Sequence, residues 1–402
     1  MTICSFVNKR QAMRILIVHN YYQHPGGEDT VVSQEHRLLA ETADVDVLTF
    51  RNRRGWRGLV QTALSPWNFW AVRSLAKAIR QFKPDIIHIH NLHYAIGPLA
   101  VRLAKRMGVP VVMTLHNYRL LCPSATLFHE SRPFTDSITA AFPWRAVAKG
   151  VHSNSVIKTF WLAATNWLHR VAGTWEMVDR YIALTPFAKE LVLSSSLGID
   201  EAHIAVKPNF LFAPEVRRGA REDFFLFVGR LSEEKGVRVL LEAFAEDGSE
   251  LMIAGDGPLK EVVARYAASH PNIHYVGSLA REEVAVLLSR CTALVFPSIW
   301  YEGMPMTIIE AFAASTAVIS SNLGAMPSMV LDGKNGLLFQ AGSAEALRVC
   351  IRRWRSLDVP RKDGLGAAAR QDFEDKYSAK TNKALLMDIY HSVLRESSQA
   401  AR

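Results

Sequence analysis

Short β-rich runs alternate with helical patterns along most of this 402-residue chain. Parallel strands need a crossover connection, usually a helix, so the alternation predicts parallel sheets. Ten strands are predicted, five in each half: 14–19, 45–50, 85–90, 111–116 and 181–184, then 224–228, 251–254, 273–276, 293–296 and 317–320. The chain is therefore predicted to be an α/β protein with two open parallel sheets in tandem.

The predicted domains follow from the gap between the two series of strands. A segment at 208–223, with two prolines, a glycine and several arginines, is predicted to link a first domain at 13–207 to a second at 224–378. A final helical pattern at 379–396 could pack back onto the first domain, and residues 1–12 read as an extension. Two such sheets create a cleft at the carboxyl ends of their strands, where ligands usually bind.

Composition restricts the class of protein. Hydrophobic content of 49% and charged content of 21% are typical of a soluble globular protein. The four scattered cysteines show no CxxC spacing, which argues against a disulfide framework or a cysteine zinc site. No apolar run is long enough to span a membrane, and the N-terminus lacks a signal-peptide pattern, so we expect a cytoplasmic protein.

Two carboxylates, Glu302 and Glu310, stand eight positions apart around a Gly-x-Pro turn. The turn follows a predicted strand and precedes a helix whose first turn is expected to contain Pro305. Free N–H groups and the helix dipole make such a turn favourable for a phosphate, while carboxylates accept hydrogen bonds from sugar hydroxyls. Acidic residues near a helix start are also common without any ligand. Phosphate together with polyol indicates a nucleotide sugar.

A second cationic turn follows the strand at 224–228. Arg230 and Lys235 precede a helix that begins near residue 237, where cations are unfavourable unless an anion lies between them. Glu233 and Glu234 could supply that anion, which leaves a solvated loop as the alternative. A diphosphate would use the pair better, since arginine grips phosphate oxygens and lysine adds a point charge.

Three further turns at strand ends are weaker signals when taken singly. Gly26 and Gly27 follow the first strand, and glycines there let a backbone approach a ligand or simply form a tight turn. His116 ends the fourth strand and could equally cap a backbone group. The run Gly255-Asp256-Gly257 joins a strand to a helix, beside a ribose or base or as an ordinary turn.

Taken together, these motifs resemble glycosyltransferase family 4. The resemblance covers roughly residues 13–345 and rests on the Glu-x7-Glu arrangement, Gly229-Arg230 with Lys235, Gly255-Asp256-Gly257-Pro258 and the Gly26-Gly27 loop. Two runs, Asn20-Tyr-Tyr-Gln-His-Pro-Gly-Gly-Glu-Asp29 and Thr114-Leu-His-Asn-Tyr-Arg-Leu-Leu-Cys-Pro123, resemble members from bacterial polysaccharide assembly. The resemblance implies the GT-B fold, two Rossmann-like domains facing a central cleft.

The resemblance also implies an activity and its residues. The chain would be a retaining hexosyltransferase that uses a UDP-sugar or GDP-mannose and a lipid-linked saccharide acceptor, making exopolysaccharide, capsule or lipopolysaccharide. Arg230 and Lys235 would bind the donor diphosphate, Glu310 the ribose, and Glu302 the donor sugar. His116 would lie near the reacting centre. The remaining donor-binding positions implied are Gly26, Gly27, Gly255, Asp256, Gly257, Gly303, Met304, Pro305 and Met306. No metal and no cofactor would be needed.

Other functions stay open on the residues alone. His88, His90 and His93 spell HxHxxH, a spacing found in metal-dependent hydrolases, although Leu92 stands where such enzymes usually have an aspartate. A non-catalytic two-lobed sugar-binding protein is a second alternative, but such proteins are normally exported. A nucleic-acid binder is supported only by the pI of about 9.4, with no recognisable binding motif.

Excess positive charge is confined to the first half. Residues 1–207 hold 24 basic and 14 acidic side chains, a net of +10, whereas 208–402 hold 23 and 24. Seven of the nine tryptophans lie in the same half. The mixed aromatic and basic clusters are Arg51, Arg53, Arg54, Trp56, Arg57, Trp67, Phe69, Trp70, Arg73, Lys77 and Arg80, then Trp144, Arg145, Lys149, Lys158, Trp161, Trp167 and Arg170. Such clusters favour an anionic membrane surface, and the alternative is helices with apolar core faces and solvated basic faces.

Overall fold

The computed structural model describes residues 12–21, 27–53, 55–212 and 221–400. Several predicted features therefore lie outside the described residues. They are most of the N-terminal extension, the first loop glycine, one arginine of the first basic cluster and the middle of the predicted linker: 1–11, Gly26, Arg54 and 213–220.

Fourteen strands form within these ranges. The strands of the first half are β1 (Arg14–Tyr21), β2 (Asp44–Arg51), β3 (Ile86–Ile89), β4 (Val111–Leu115), β5 (Phe128–His129), β6 (Arg132–Pro133), β7 (Arg180–Ala183) and β8 (Ile204–Val206). Those of the second half are β9 (Phe225–Val228), β10 (Leu251–Ala254), β11 (Ile273–Gly277), β12 (Ala293–Phe296), β13 (Val318–Ser321) and β14 (Gly336–Phe339). All ten predicted strands are present, and β10 and β12 match their predicted bounds residue for residue.

Helices connect the strands throughout the described chain. The first seven are α1 (Gly27–Leu39), α2 (Gly55–Leu64), α3 (Phe69–Phe82), α4 (Leu99–Arg106), α5 (Trp144–Lys149), α6 (Val156–Val171) and α7 (Pro186–Leu193). The remainder are α8 (Val237–Asp247), α9 (Lys260–Ser269), α10 (Arg281–Arg290), α11 (Met306–Ala313), α12 (Met326–Met329), α13 (Ala344–Arg355), α14 (Val359–Asp372) and α15 (Ala379–Ala400).

Two six-stranded parallel sheets confirm the predicted α/β fold. Their strand orders are β2-β1-β3-β4-β7-β8 and β11-β10-β9-β12-β13-β14, and β5 and β6 form a separate antiparallel pair. By contacts the described chain divides into two compact units. The first comprises residues up to 114 with 169–181 and 387 onward, and the second comprises 115–168 with 182–386.

The central strands β9, β10 and β12 of the second sheet are buried on both faces, which explains why they are continuous apolar runs in the sequence. In β9, Phe225 and Phe227 point into one apolar cluster while Leu226 points into another, as the two-residue period of a strand requires. Helices α8 and α13 contribute to the first cluster, and α11 contributes to the second. The turns that follow these strands are thus held on a well-packed part of the sheet.

The last helix belongs to the core of the first unit. Tyr390 of α15 is fully buried, and its hydroxyl lies 2.7 Å from Nδ1 of His88 on β3. The Glu35 carboxylate of α1 lies 3.0 Å from the same nitrogen, and His88 Nε2 lies 2.7 Å from the Thr114 hydroxyl. A buried polar network thus ties α15 to α1, β3 and β4 within this unit.

Candidate active site

The turn after β12 places the two predicted glutamates on either side of the start of α11. Glu302 is 6% exposed in the loop, and Glu310 is half-buried in the helix. Pro305 occupies the N-cap with extended backbone, so its prediction within the first helical turn was wrong by one position. The reason is local. Proline fixes only its own φ, and that φ is compatible both with an N-cap and with the first turn of a helix.

Lys235 and Glu302 form a direct ion pair. Lys235 Nζ lies 2.7 Å from Oε1 of Glu302, and the buried Ser298 hydroxyl donates to the same oxygen at 2.8 Å. The sequence suggested Glu233 or Glu234 as the anion beside the cations. Instead Glu233 pairs with Arg238. The partner of Lys235 is Glu302, which lies in the loop after β12. Two predicted site residues are therefore brought together.

Arg230 is the second predicted cation, and it lies at the end of β9 with its side chain exposed. Among the described residues it makes no side-chain ion pair or hydrogen bond within ordinary distance. Its guanidinium is therefore available at the same strand end as the loop that carries Lys235. A fork of N–H donors without a protein partner suits a phosphate group arriving from solvent.

Aromatic rings surround the Lys235 ammonium group. Its Nζ lies 5.1 Å from the ring centre of Trp300 and 5.9 Å from that of Phe296. Trp300 also packs edge-to-face against Phe128, with ring centres 6.5 Å apart. These rings restrict the lysine side chain and exclude water from one side of it, which strengthens its interaction with an anion.

His116 lies beside the Glu302 loop. A methyl group added at Gly303 would come within 2.8 Å of the His116 carbonyl oxygen, so the two backbones are in close approach. The buried Tyr118 hydroxyl donates to the carbonyl of Glu302 at 3.0 Å. Burial raises the pKa of Tyr118, with the Glu302 charge adding to the effect, so the hydroxyl keeps its proton and remains a donor.

Sequence reasoning missed Tyr118 and Ser298. Tyr118 follows His116 by two positions, and a buried tyrosine hydroxyl needs an acceptor. That signal predicts a partner but does not say which one. Ser298 stands four residues before Glu302 in a loop, where no periodic pattern fixes the direction of either side chain.

The Gly255-Asp256-Gly257 turn packs tightly against the end of β9. A methyl group at Gly255 would lie 1.9 Å from the Gly229 carbonyl, and one at Gly257 would lie 2.4 Å from the Leu231 carbonyl. Asp256 is exposed, and its side chain accepts from the Gly257 N–H at 2.8 Å. The glycines thus hold this turn against the segment that carries Arg230.

Glu310 is a partly desolvated carboxylate on the second turn of α11. Burial raises its pKa above the ordinary carboxyl value, and the charge of Arg281 opposes that rise. In the described part of the chain, its carboxylate has no hydrogen-bond donor. A carboxylate in this condition gains when hydroxyl groups of a ligand donate to it.

The remaining predicted donor-binding positions lie near the start of α11 and at the start of α1. Gly303, Met304 and Met306 are half-buried around the start of α11, and the Asn209 N–H points at the Met304 sulfur at 3.1 Å. Gly27 begins α1 in the first unit and is exposed, and a methyl group there would meet nothing within 4 Å. Its own packing therefore does not require glycine.

The HxHxxH spacing does not assemble as three ligands. Among the described residues, the cluster with metal-ligand spacing is Glu35, His88 and His90, all buried, and it omits His93. Both ring nitrogens of His88 face protein partners in the network with α15. Burial lowers the pKa of His90 to about 4, so its ring is neutral. These contacts favour core histidines over a hydrolase centre.

Comparison with known proteins identifies the family of the chain. Residues 25–211 match the family described as Glycosyltransferase Family 4, and residues 212–372 match Glycosyl transferases group 1. Together the two matches cover most of the chain and meet at residues 211 and 212.

Individual relatives are distant but extensive. The glycogen synthase of Mycobacterium tuberculosis is 28% identical over 94% of this chain and 84% of its own. The alpha-monoglucosyldiacylglycerol synthase of Acholeplasma laidlawii is 26% identical over 67% of this chain and 66% of its own. The crystal structure of HepE from Anabaena in complex with UDP has a TM-score of 0.67 at 15% identity, covering 94% of this chain and 100% of that one. With the two parallel sheets and both family matches, the chain is a glycosyltransferase of the GT-B fold and of the family 4 type.

Proposed function

We propose that this protein is a retaining hexosyltransferase that uses a nucleotide sugar, either a UDP-sugar or GDP-mannose. The observation that carries the proposal is the Lys235–Glu302 pair. It is supported by an exposed Arg230 that makes no ion pair among the described residues and by a half-buried Glu310. It is supported by the UDP complex of the Anabaena relative, which shares the fold. The activity joins sugars to a lipid-linked saccharide during synthesis of exopolysaccharide, capsule or lipopolysaccharide.

The donor diphosphate would be held by cations rather than by a metal. Arg230 and Lys235 supply positive charge, and backbone N–H groups at the start of α11 add donors. Charge that develops on the leaving nucleoside diphosphate is stabilised by these fixed groups. We therefore propose that the reaction needs no cofactor and no metal ion, and that full activity persists in EDTA.

Two glutamates would bind the carbohydrate portion of the donor. Glu310 would accept hydrogen bonds from ribose hydroxyls, which relieves its partial desolvation. Glu302 would hold the donor sugar, with Gly303 allowing close approach of its backbone. The bond from the sugar anomeric carbon to the diphosphate oxygen breaks, and the acceptor oxygen bonds to that carbon on the same face. The acceptor proton passes to the leaving phosphate, so no side-chain nucleophile is required.

A donor panel tests the proposal directly. Purified protein is screened by thermal shift against UDP-hexoses, GDP-mannose and the free nucleotides, and each stabilising donor is then scored for slow hydrolysis. We expect one base to stabilise the fold and one sugar to be hydrolysed, with retained configuration in the product. Absence of any nucleotide-dependent shift, or an inverted product, would contradict the proposal.

Replacement of His116 by alanine should impair transfer more than donor binding. Its backbone lies against Gly303, so its side chain is expected near the reacting centre while the diphosphate contacts are made elsewhere. We expect kcat to fall by about 10²-fold, with donor Kd changed less than about threefold. Equal losses in kcat and donor affinity would instead make it a general binding residue.

Replacement of Tyr118 by phenylalanine tests the positioning of the Glu302 loop. The variant keeps the ring but leaves the Glu302 carbonyl without its donor. We expect kcat to fall about tenfold with little change in donor KM, because an unmade buried hydrogen bond costs about 1–3 kcal/mol. Tyr181→Phe, which removes another buried hydroxyl that donates to a carbonyl, is the matched control. An equal loss of kcat in both variants would show a purely structural effect.

The setting of the reaction is also proposed. A lipid-linked acceptor is consistent with the relative that makes a glucosyl lipid. We infer a cytoplasmic protein that works peripherally at an anionic membrane surface, where nucleotide sugar and acceptor meet. Cell fractionation at low and high salt would test this, and an acceptor that is active only in free, water-soluble form would count against it.

A further inference from the structure

One stretch of the first unit has an apolar surface that the described protein does not cover. Helix α2 contains no buried residue, although it carries tryptophan, leucine and valine side chains. Trp56 is 70% exposed, and Trp70, at the start of α3, is 71% exposed. Between them lie five more exposed large apolar side chains: Leu59, Val60, Leu64, Trp67 and Phe69. We call residues 56–70 the aromatic face.

A role in the core cannot account for this surface. The sequence left open that these helices turn apolar faces inward, and α3 does so through residues such as Leu75 and Ile79, which are buried. The aromatic face lies on α2 and at the amino end of α3 instead, where the rings point to solvent. A contiguous exposed apolar patch of this kind is typical of an interaction site.

The positive charge around the aromatic face indicates which kind of partner it binds. The segment from Arg51 to Lys83 contains eight basic residues and no acidic residue. Two of these cations lie directly over the exposed rings, Arg57 at 5.4 Å from the Trp56 ring centre and Arg73 at 5.6 Å from that of Trp70. Tryptophan and arginine together suit the headgroup region of a bilayer, where the ring sits among apolar chains and the cation meets phosphate.

We propose that the aromatic face inserts into the interfacial region of an anionic lipid bilayer and anchors the first unit there. Each cation near an anionic surface contributes to attraction, and the rings bury their apolar area beneath the headgroups. Spanning the bilayer is not required, and none of the helices in the described ranges is long and apolar enough to do so. The inference does not depend on sugar transfer, since lipid binding is measured without donor or acceptor.

Liposome flotation with the full chain tests the proposal. Vesicles of phosphatidylcholine are compared with vesicles that contain about 30% phosphatidylglycerol, at low and high salt. We expect at least about tenfold stronger binding to the anionic vesicles, weakened by salt. Trp56→Ser with Trp70→Ser, and separately Arg57→Gln with Arg73→Gln, should each reduce that binding about tenfold or more.

Val359→Ser is the matched control, because Val359 is also 70% exposed but lies on α14 of the second unit. It should bind anionic vesicles like the wild type, and all variants should keep the wild-type melting temperature since the changed side chains are exposed. Quenching of tryptophan fluorescence by brominated lipid should fall in the double tryptophan variant. Equal binding to both vesicle types, wild-type binding by the tryptophan variant, or a dimer that this variant dissociates without any vesicle binding would overturn the proposal.

Discussion

Lys235→Ala should lower glycosyl transfer by about 10²–10³-fold, because it removes a fixed cation that faces developing negative charge. The loss is expected in kcat/KM for the donor, with the second unit still folded. The ammonium group lies at 2.7 Å from Glu302 and is enclosed by Trp300 and Phe296, so water cannot easily replace it. Steady-state transfer and nucleotide thermal shift measure the two effects separately.

Two further variants separate charge from position. Lys235→Arg keeps the charge and should retain part of the activity, although its planar fork fits the aromatic enclosure less well. Arg238→Ala removes a cation three residues away that pairs with Glu233 in an exposed position, and it should leave transfer unchanged. Wild-type turnover by Lys235→Ala would refute the assignment of the site.

Substitution of Glu310 is expected to have the second large effect. Loss of its charge should weaken donor binding but raise the stability of the folded protein. Glu310→Ala should abolish measurable transfer, and Glu310→Gln should weaken donor binding by about 10- to 100-fold, since hydrogen bonds to a charged acceptor are worth about 1.5–3 kcal/mol. Isothermal titration with the nucleotide found in the donor panel measures the loss. A glutamine variant that binds donor like the wild type would contradict the ribose role.

The stability change follows from the raised pKa of Glu310. A carboxyl whose pKa is higher in the folded state is destabilising when ionised, and that penalty is complete at pH above its folded pKa. Glu310→Gln removes the penalty, so its melting temperature should exceed that of the wild type at pH 7.5. The difference should shrink as pH falls and vanish below the pKa of the unfolded state, about 4.3, where both states of the wild type bind the proton. Glu282→Gln, an exposed position on α10, should show no such difference.

The central strands of both parallel sheets were predictable because they are buried on both faces. Leu251–Ala254 and Ala293–Phe296 are short apolar runs between turns, so the turns on either side mark where each strand begins and ends. Four strands were missed because none is a long apolar run. Phe128–His129 and Arg132–Pro133 have only two residues each. Ile204–Val206 has only three residues, and Gly336–Phe339 begins with a glycine that a sequence pattern assigns to a loop.

The site was predictable only in part. Glycines and charges at strand ends indicated where ligands bind, because the carboxyl ends of parallel strands share one edge. Which charges meet was not predictable, since Lys235 pairs with a glutamate 67 residues away rather than with its neighbours. Such pairing depends on strand order, here β9 beside β12, which a single sequence does not specify. The hydrogen bond from Tyr118 to Glu302 was missed because the two residues are 184 positions apart and follow strands of different sheets.

The contact between Tyr390 and His88 has a consequence for biosynthesis. Residues 387 onward belong to the first unit and cover its buried polar network, so this unit cannot complete its core before α15 has been synthesised. The second unit consists of two stretches, 115–168 and 182–386, so it also needs a large part of the chain. During synthesis, α1 and β3 of the first unit would therefore remain incompletely covered, and chaperones would be most needed at that stage.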